Sequence, residues 1–148
     1  PYPISHNIIP HLDVFTDDFY TKEEIKMIEE TRKILGAPDM RITATTARVP
    51  VYYGHSESIN VEFDKPVTRE AAIKTLSAAK GVIVRDDVAN NVYPMPIDAE
   101  GHDEVFVGRI RKDNSVENGL NLWVVADNIR KGAASNAVQI AELLNSRG

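Results

Sequence analysis

The chain has no cysteine among its 148 residues. It therefore has no disulfide framework, no thiolate metal site and no thiol nucleophile of its own. It also has no apolar run long enough to span a membrane, so we predict no transmembrane helix. The first six residues, PYPISH, lack the basic region and apolar core of a signal peptide and include no Met, as expected of a domain taken from a longer protein.

Other features are also missing. No GxGxxG phosphate loop occurs, so the chain is predicted to contain no dinucleotide-binding fold. The net charge of −5 argues against nucleic acid or an anionic membrane as the main partner, although a few local cations suffice to bind a small anion. His6, His11 and His102 have no companions at metal-ligand spacing, so no metal site is predicted.

The remaining composition, 43% hydrophobic and 26% charged, is that of an ordinary globular domain. Three helices are predicted in it. A capping box at Thr21–Glu24 begins the first, and Gly36 and Pro38 end it. The second runs over Thr68–Lys80 and the third over about Arg130–Leu144.

The strand pattern completes the fold prediction. Residues 1–20 are expected to be irregular, because prolines are scattered through them. β-Branched or alternating apolar residues predict five extended segments: Arg41–Val51, Ile59–Phe63, Val82–Val84, Val105–Arg111 and Leu120–Val125. Their order predicts an α+β fold with a mixed, largely antiparallel sheet and helices on one face.

One histidine lies in a suggestive context. His55 follows Gly54 between two extended segments, where a backbone bend can present an imidazole that takes and gives protons near neutral pH. Seven residues earlier, Arg48 offers a rigid fork for a carboxylate. This pairing suits chemistry on a small acid, although a single His and Arg in a domain of this size are more often structural.

Two further places have both a structural and a functional interpretation. Glu23 and Lys26 share one helix face, either as a solvated ion pair or as ligands for a substrate ammonium and phosphate. Asn128 lies in a polar turn before a helix rich in small residues, either as a cap or where a ligand comes close.

These places coincide with segments of one family. RVPVYYGHSE at Arg48–Glu57 resembles the active-site segment of bacterial aspartate-semialdehyde dehydrogenases, and YTKEEIKM at Tyr20–Met27 resembles their substrate-binding helix. Further segments that resemble the family in the same order are ETRKIL at 30–35, VFVGRIR at 105–111, LNLWVVADN at 120–128 and KGAASNAVQIAE at 131–142. Thr46 stands where the family often has a cysteine that is not the nucleophile.

The resemblance implies an enzyme reaction. NADPH would reduce an aspartyl group, made from aspartyl phosphate and held on a cysteine, to the semialdehyde used in lysine, methionine and threonine biosynthesis. It implies His55 as the acid/base, Arg48 as the ligand of the substrate carboxylate, and Glu23 and Lys26 as ligands of its ammonium and phosphate. Asn128 would contact the nicotinamide carboxamide.

The resemblance also implies an architecture. Residues 1–128 would form a substrate-binding and dimerisation domain like the carboxy-terminal domain of glyceraldehyde-3-phosphate dehydrogenase. Residues 129–148 would form a helix that packs on an absent Rossmann domain, which binds most of the NADP. We therefore expect a cytoplasmic homodimeric enzyme, and no activity from this chain alone, because it has no cysteine.

Two alternatives stay open. The related N-acetylglutamyl-phosphate reductases share the two-domain plan, but their substrate has a blocked amine, which gives a carboxylate at Glu23 little purpose. A non-catalytic dimerisation or ligand-binding module is the other alternative, although retention of His55, Arg48, Glu23 and Lys26 together speaks against decay of the site.

Overall fold

The computed structural model describes residues 2–146. The chain divides into two compact units, Pro1–Pro50 and Val51–Gly148. We describe each unit by itself.

The first unit is built around one helix, α1 (Lys22–Leu35). The Thr21 hydroxyl accepts a hydrogen bond from the Glu24 amide at 3.3 Å, and the Glu24 carboxylate accepts one from the Thr21 amide at 2.8 Å. These bonds satisfy amides that a helix start otherwise leaves without partners. Gly36, with φ +62°, ends the helix. The capping box and both helix ends therefore confirm the sequence prediction.

The predicted extended strand at Arg41–Val51 is wrong. Within this segment the only strand-like contact of the described chain is an isolated antiparallel bridge between Arg48 and Ile9. Thr, Ala and Val favour extended backbone, but a strand also needs a neighbouring strand for its amides and carbonyls. Here the neighbour is the irregular first segment, which pairs at one position only.

The second unit contains a four-stranded sheet, in the spatial order β1-β4-β3-β2. Pairs β1–β4 and β4–β3 are antiparallel, and β3–β2 is parallel. This confirms the predicted α+β class with a mixed, largely antiparallel sheet. In chain order the elements are β1 (His55–Glu62), α2 (Arg69–Ala78), β2 (Val82–Val84), a 3₁₀ turn (Val88–Asn90), α3 (Pro96–Ala99), β3 (Val105–Asp113), β4 (Gly119–Ala126) and α4 (Ala134–Asn145).

Some boundaries differ from the prediction. α2 ends at Ala78, two residues before the predicted end, and α4 begins at Ala134 rather than Arg130. Hydrogen-bonded turns occupy the intervening residues before α4, and Gly132 there has φ +77°. A positive φ cannot continue a right-handed helix, which accounts for the late start. The short α3 was not predicted, because four residues carry no periodicity.

The core of the sheet lies where α3 packs on β4. Ala99, Phe106 and Val125 are buried together, with Ile83 and Trp123 packed against them. The indole of Trp123 donates to the carbonyl of Pro94 at 3.1 Å. The chain between β2 and β3 thus covers one face of the sheet and satisfies its one indole N–H.

A β-bulge interrupts the pairing of β3 with β4 between Gly108 and Arg111. Arg109 in this bulge has φ +52°, a conformation that is unfavourable for a residue with a side chain. The carboxylate of Asp86, 2% exposed, accepts from the amides of Arg109 and Ile110 at 2.9 and 3.1 Å and pairs with Arg69 at 2.9 Å. Asp86 therefore clamps the bulge in place.

Helix α4 buries none of its side chains. Its large apolar residues are about half exposed or more: Val138 58%, Ile140 53%, Leu143 48% and Leu144 67%. An amphipathic helix with an uncovered apolar face needs a partner elsewhere. That residues 129–148 belong with a different domain stays a prediction.

We predict that Asp86→Ala lowers the free energy of unfolding by about 3 kcal/mol, because it leaves two amides and a guanidinium without their buried acceptor. Urea denaturation followed by Trp123 fluorescence measures the loss. Asp64→Ala, an exposed aspartate after β1, is the matched control and should stay within about 0.5 kcal/mol of the wild type. Equal unfolding midpoints for the two variants would show that Asp86 does not stabilise the bulge.

Candidate functional site

His55 is the first residue of β1 and pairs with Ala126 of β4. Its backbone enters the strand through Gly54, which has φ +84°. A Cβ at Gly54 would lie 3.0 Å from the carbonyl oxygen of Ala126, so both conformation and space require glycine there. The bend that the sequence predicted before His55 is therefore present, and the imidazole lies exposed at the end of the sheet.

Asn128 lies beside His55. Its side-chain oxygen accepts from the Gly54 amide at 3.0 Å, and its side-chain nitrogen lies 3.3 Å from Nε2 of His55. One amide group thus contacts both the bend and the imidazole. The structure brings these two predicted site residues together, although they are 73 positions apart in sequence.

Asp127 holds the turn that carries Asn128, a role that sequence analysis missed. Its carboxylate is buried and accepts from the amides of Gly101 and Ile129 at 2.8 and 2.9 Å. The Gly101 amide, with the larger effect, and the Ile129 amide hold the pKa of Asp127 below its ordinary value. The bond from Asp127 to the Ile129 amide could have been predicted, since an aspartate that bonds an amide two residues on is typical of turns.

In the first unit, Glu23 and Lys26 form an ion pair across one turn of α1, with Nζ and Oε1 3.5 Å apart. Their side chains are 34% and 55% exposed, so the pair contributes only a few tenths of a kcal/mol. Such a pair opens easily. It fits both the structural and the ligand-binding interpretation.

Arg48 has a fixed backbone and an exposed side chain. Its amide donates to the carbonyl of Ile9 at 2.8 Å, and its carbonyl accepts from the amide of Ile9 at 3.0 Å. The guanidinium is therefore carried by an anchored backbone position, as a ligand for a carboxylate requires.

Glu24 is a second residue whose role sequence analysis understated. Besides capping α1, its carboxylate accepts from the Thr46 amide at 2.8 Å. The amides of Thr21 and Thr46, in that order, hold the pKa of Glu24 below its ordinary value. Because Thr46 lies two residues before Arg48, one buried carboxylate joins the helix start of Glu23 and Lys26 to the segment that carries Arg48.

Two negative findings apply to residues 2–146. No group of three or more His, Cys, Asp or Glu side chains there could hold a metal ion. No helix in that range is long and apolar enough to cross a membrane.

We predict that Asp127→Asn reduces the pH dependence of stability at the acid side. A carboxyl whose pKa is depressed by folding stabilises the native state above its ordinary value of 3.8, and this stabilisation is lost as the pH falls through the lower folded value. Asparagine keeps an acceptor but not the charge, so the variant should be less stable than wild type at neutral pH and converge towards it below pH 3.8.

Thermal unfolding midpoints between neutral pH and the acid limit measure this effect. The exposed variant Asp64→Asn serves as the control and should run parallel to the wild type. A constant difference between Asp127→Asn and wild type at every pH would show that the charge of Asp127 is not responsible.

The chain is similar to known proteins over its whole length. Residues 1–131 match the sequence profile of the semialdehyde dehydrogenase dimerisation domain. Aspartate-semialdehyde dehydrogenase of Aquifex aeolicus is 61% identical over 148 residues, which are all of this chain and 44% of that protein. The chain therefore spans less than half the length of this relative.

Solved structures show the same fold. Aspartate semialdehyde dehydrogenase II of Vibrio cholerae, complexed with ASA, matches 95% of this chain and 41% of its own at 48% identity, with a TM-score of 0.90. The Candida albicans aspartate semialdehyde dehydrogenase with NADP matches 96% of this chain and 45% of its own at 28% identity, with a TM-score of 0.71. The chain belongs to the semialdehyde dehydrogenase dimerisation-domain family, and it is similar to the carboxy-terminal part of aspartate-semialdehyde dehydrogenases.

Proposed function

We propose that this chain forms the substrate-binding and dimerisation region of an NADP-dependent aspartate-semialdehyde dehydrogenase, which reduces aspartyl phosphate to the semialdehyde with release of phosphate. The observation that carries the proposal is the His55 imidazole, exposed at the end of the sheet and contacted by Asn128. The identity of 61% over the whole chain supports it. The cysteine nucleophile and the dinucleotide fold would come from a region outside these 148 residues.

His55 is proposed as the acid/base of the reaction. A thiol is a good nucleophile only as thiolate, and a positioned imidazole can take its proton. The same group can later return a proton to an oxygen of the substrate. An exposed imidazole on a strand end meets the requirement for a rigid position open to a reacting group.

Arg48, Glu23 and Lys26 are proposed to bind the substrate. A guanidinium matches the α-carboxylate in a two-pronged contact, a carboxylate matches the ammonium, and an ammonium matches the phosphate. Because the Glu23–Lys26 pair is exposed and weak, replacing it by contacts with substrate costs little. The Vibrio cholerae structure with ASA, the abbreviation of aspartate semialdehyde, supports this substrate class.

Asn128 is proposed to contact the nicotinamide carboxamide of NADP, whose reduced form would supply the hydride. The amide nitrogen carries two hydrogens, and contact with His55 uses one of them. The second can donate to the carboxamide oxygen, so the residue fits the group. The Candida albicans relative with NADP supports this cofactor. A biosynthetic reaction of this kind supports a cytoplasmic location.

The active form is proposed to be a homodimer that pairs through the sheet. β4 is an inner strand, and its Leu120 and Val125 are buried, yet Leu122 and Val124 stay partly exposed. Apolar side chains in the middle of a sheet need cover, which a second copy supplies through a two-fold axis. The family of the chain is named for its dimerisation domain, which supports the same conclusion.

We predict different kinetic effects for two variants of a complete enzyme that contains this chain. His55→Ala should lower kcat about a hundredfold with little change in KM, the scale of a positioned acid/base. Arg48→Lys keeps the charge but loses the two-pronged contact, so kcat/KM should fall by an amount equivalent to about 2–4 kcal/mol. Phosphate-dependent reduction of NADP in the presence of aspartate semialdehyde measures both.

His102→Ala is the matched control, because this imidazole is 55% exposed and lies outside the proposed site. It should keep wild-type kinetics. Turnover that survives in His55→Ala would refute the acid/base role. A wild-type full-length protein without aspartate-semialdehyde dehydrogenase activity would favour the non-catalytic module.

We predict that the chain sediments as a homodimer at tens of micromolar, and that Leu122→Arg makes it a monomer. A cation on the open part of β4 would face the apolar surface of the second copy without a partner. Leu144→Arg on α4 is the control, since this side chain is 67% exposed, and it should sediment like the wild type. A wild-type monomer would mean that something other than a second copy covers the sheet.

A further inference from the structure

We propose that Asn128 is a positioning residue for His55, and that it selects the imidazole tautomer with its proton on Nδ1. The contact geometry carries this inference by itself. Only its catalytic consequence rests on the proposed function.

The orientation of the Asn128 amide follows from its neighbours. The backbone N–H of Gly54 can only donate, and it lies 3.0 Å from the side-chain oxygen of Asn128. A reversed amide would place two donors against each other there. The amide nitrogen must therefore be the group that faces His55.

The tautomer of His55 follows in turn. An amide nitrogen donates and does not accept, so Nε2 of the neutral ring, 3.3 Å away, must be the acceptor. A neutral imidazole has one protonated nitrogen, which leaves the proton on Nδ1. Two contacts of one side chain thus fix the chemical state of another.

Both ends of this arrangement are anchored. His55 pairs with Ala126 in the ladder of β1 and β4, which places Asn128 two residues beyond the last pair. Asp127 holds the following turn through the amides of Gly101 and Ile129, and Arg130 pairs with Asp103 at 2.8 Å. The amide therefore reaches His55 from a backbone that is itself fixed by hydrogen bonds.

The selected tautomer has a chemical consequence. With the proton on Nδ1, Nε2 is the only basic nitrogen of the neutral ring. A proton taken from a nucleophile would therefore arrive at Nε2, at the ring edge that Asn128 contacts. A proton that arrives at Nε2 breaks the hydrogen bond from Asn128. The amide therefore orients the neutral ring and must move away when the ring is protonated.

The experiment uses long-range ¹H–¹⁵N correlation spectra of the imidazoles in the 148-residue chain, at a pH at which they are neutral. The chain has four histidines, and the spectrum of His55→Gln assigns the signal of His55 by its disappearance. We expect the Nδ1–H pattern for His55 in the wild type. A predominant Nε2–H pattern would overturn the inference.

Asn128→Asp is the decisive variant, because it keeps an acceptor for the Gly54 amide and replaces the donor to His55 by a second acceptor. We expect the His55 tautomer to invert to Nε2–H. An Nδ1–H pattern that persists in this variant would show that the group at position 128 does not set the tautomer, which would also overturn the inference. Asn136→Asp, on α4, is the matched control and should leave the spectrum of His55 as in the wild type.

Kinetics of the complete enzyme separate this inference from the proposed function. An inverted tautomer places the only basic nitrogen at the wrong ring position, so Asn128→Asp should lower kcat at least about tenfold, with KM for the semialdehyde nearly unchanged. KM for NADP is measured separately, because Asn128 is also proposed to contact the nicotinamide carboxamide. An inverted tautomer with unchanged kcat would support the positioning contact and refute the acid/base role of His55. An Nε2–H pattern in the wild type, together with a roughly hundredfold loss of kcat in His55→Ala, would refute the positioning contact and support the acid/base role.

Discussion

The antiparallel register of β1 against β4 is the constraint on which the second unit depends. The ladder pairs His55 with Ala126 at one end and Glu62 with Gly119 at the other. This register determines which residues meet at the end that carries His55. A slip of one residue would turn every side chain to the other face and separate Gly54 from Asn128. The apolar residues of β4 prevent such a slip, since they must reach the core that contains Phe106 and Val125. Packing of the core thus sets the distance between the side chains of His55 and Asn128 at the end of the sheet.

Local signals predicted much of the secondary structure. The capping box at Thr21–Glu24 and the alternation at Ile59–Phe63 each reflect a physical requirement of a few neighbouring residues. The strand predicted at Arg41–Val51 was wrong because a strand depends on a partner that no local pattern reveals. The bulge at Arg109 could not be predicted either. It is stabilised by Asp86, which lies more than twenty residues earlier in the chain.

The candidate site divides in the same way. His55 and Arg48 could be selected from residue type and context, and the family resemblance gave them roles. The contact between Asn128 and His55 could not be predicted, because it depends on strand register across more than seventy residues. Asp127 and Glu24 were visible as turn and cap residues, but each also bonds a distant amide, of Gly101 and Thr46 respectively. Sequence patterns reveal the local half of such a carboxylate's function and leave the distant half to the fold.

The double role of Glu24 has a consequence for motion. Because one carboxylate serves both the helix start and the Thr46 amide, the first turn of α1 cannot fray without releasing the backbone two residues from Arg48. The amide protons of Thr21 and Thr46 should therefore exchange with solvent as one cooperative unit. Ordering a loose segment costs about 1–2 kcal/mol per residue, and here that cost is met when the unit folds rather than when a ligand arrives. In the proposed function, the side chains of Glu23, Lys26 and Arg48 would thus be ordered before the substrate arrives.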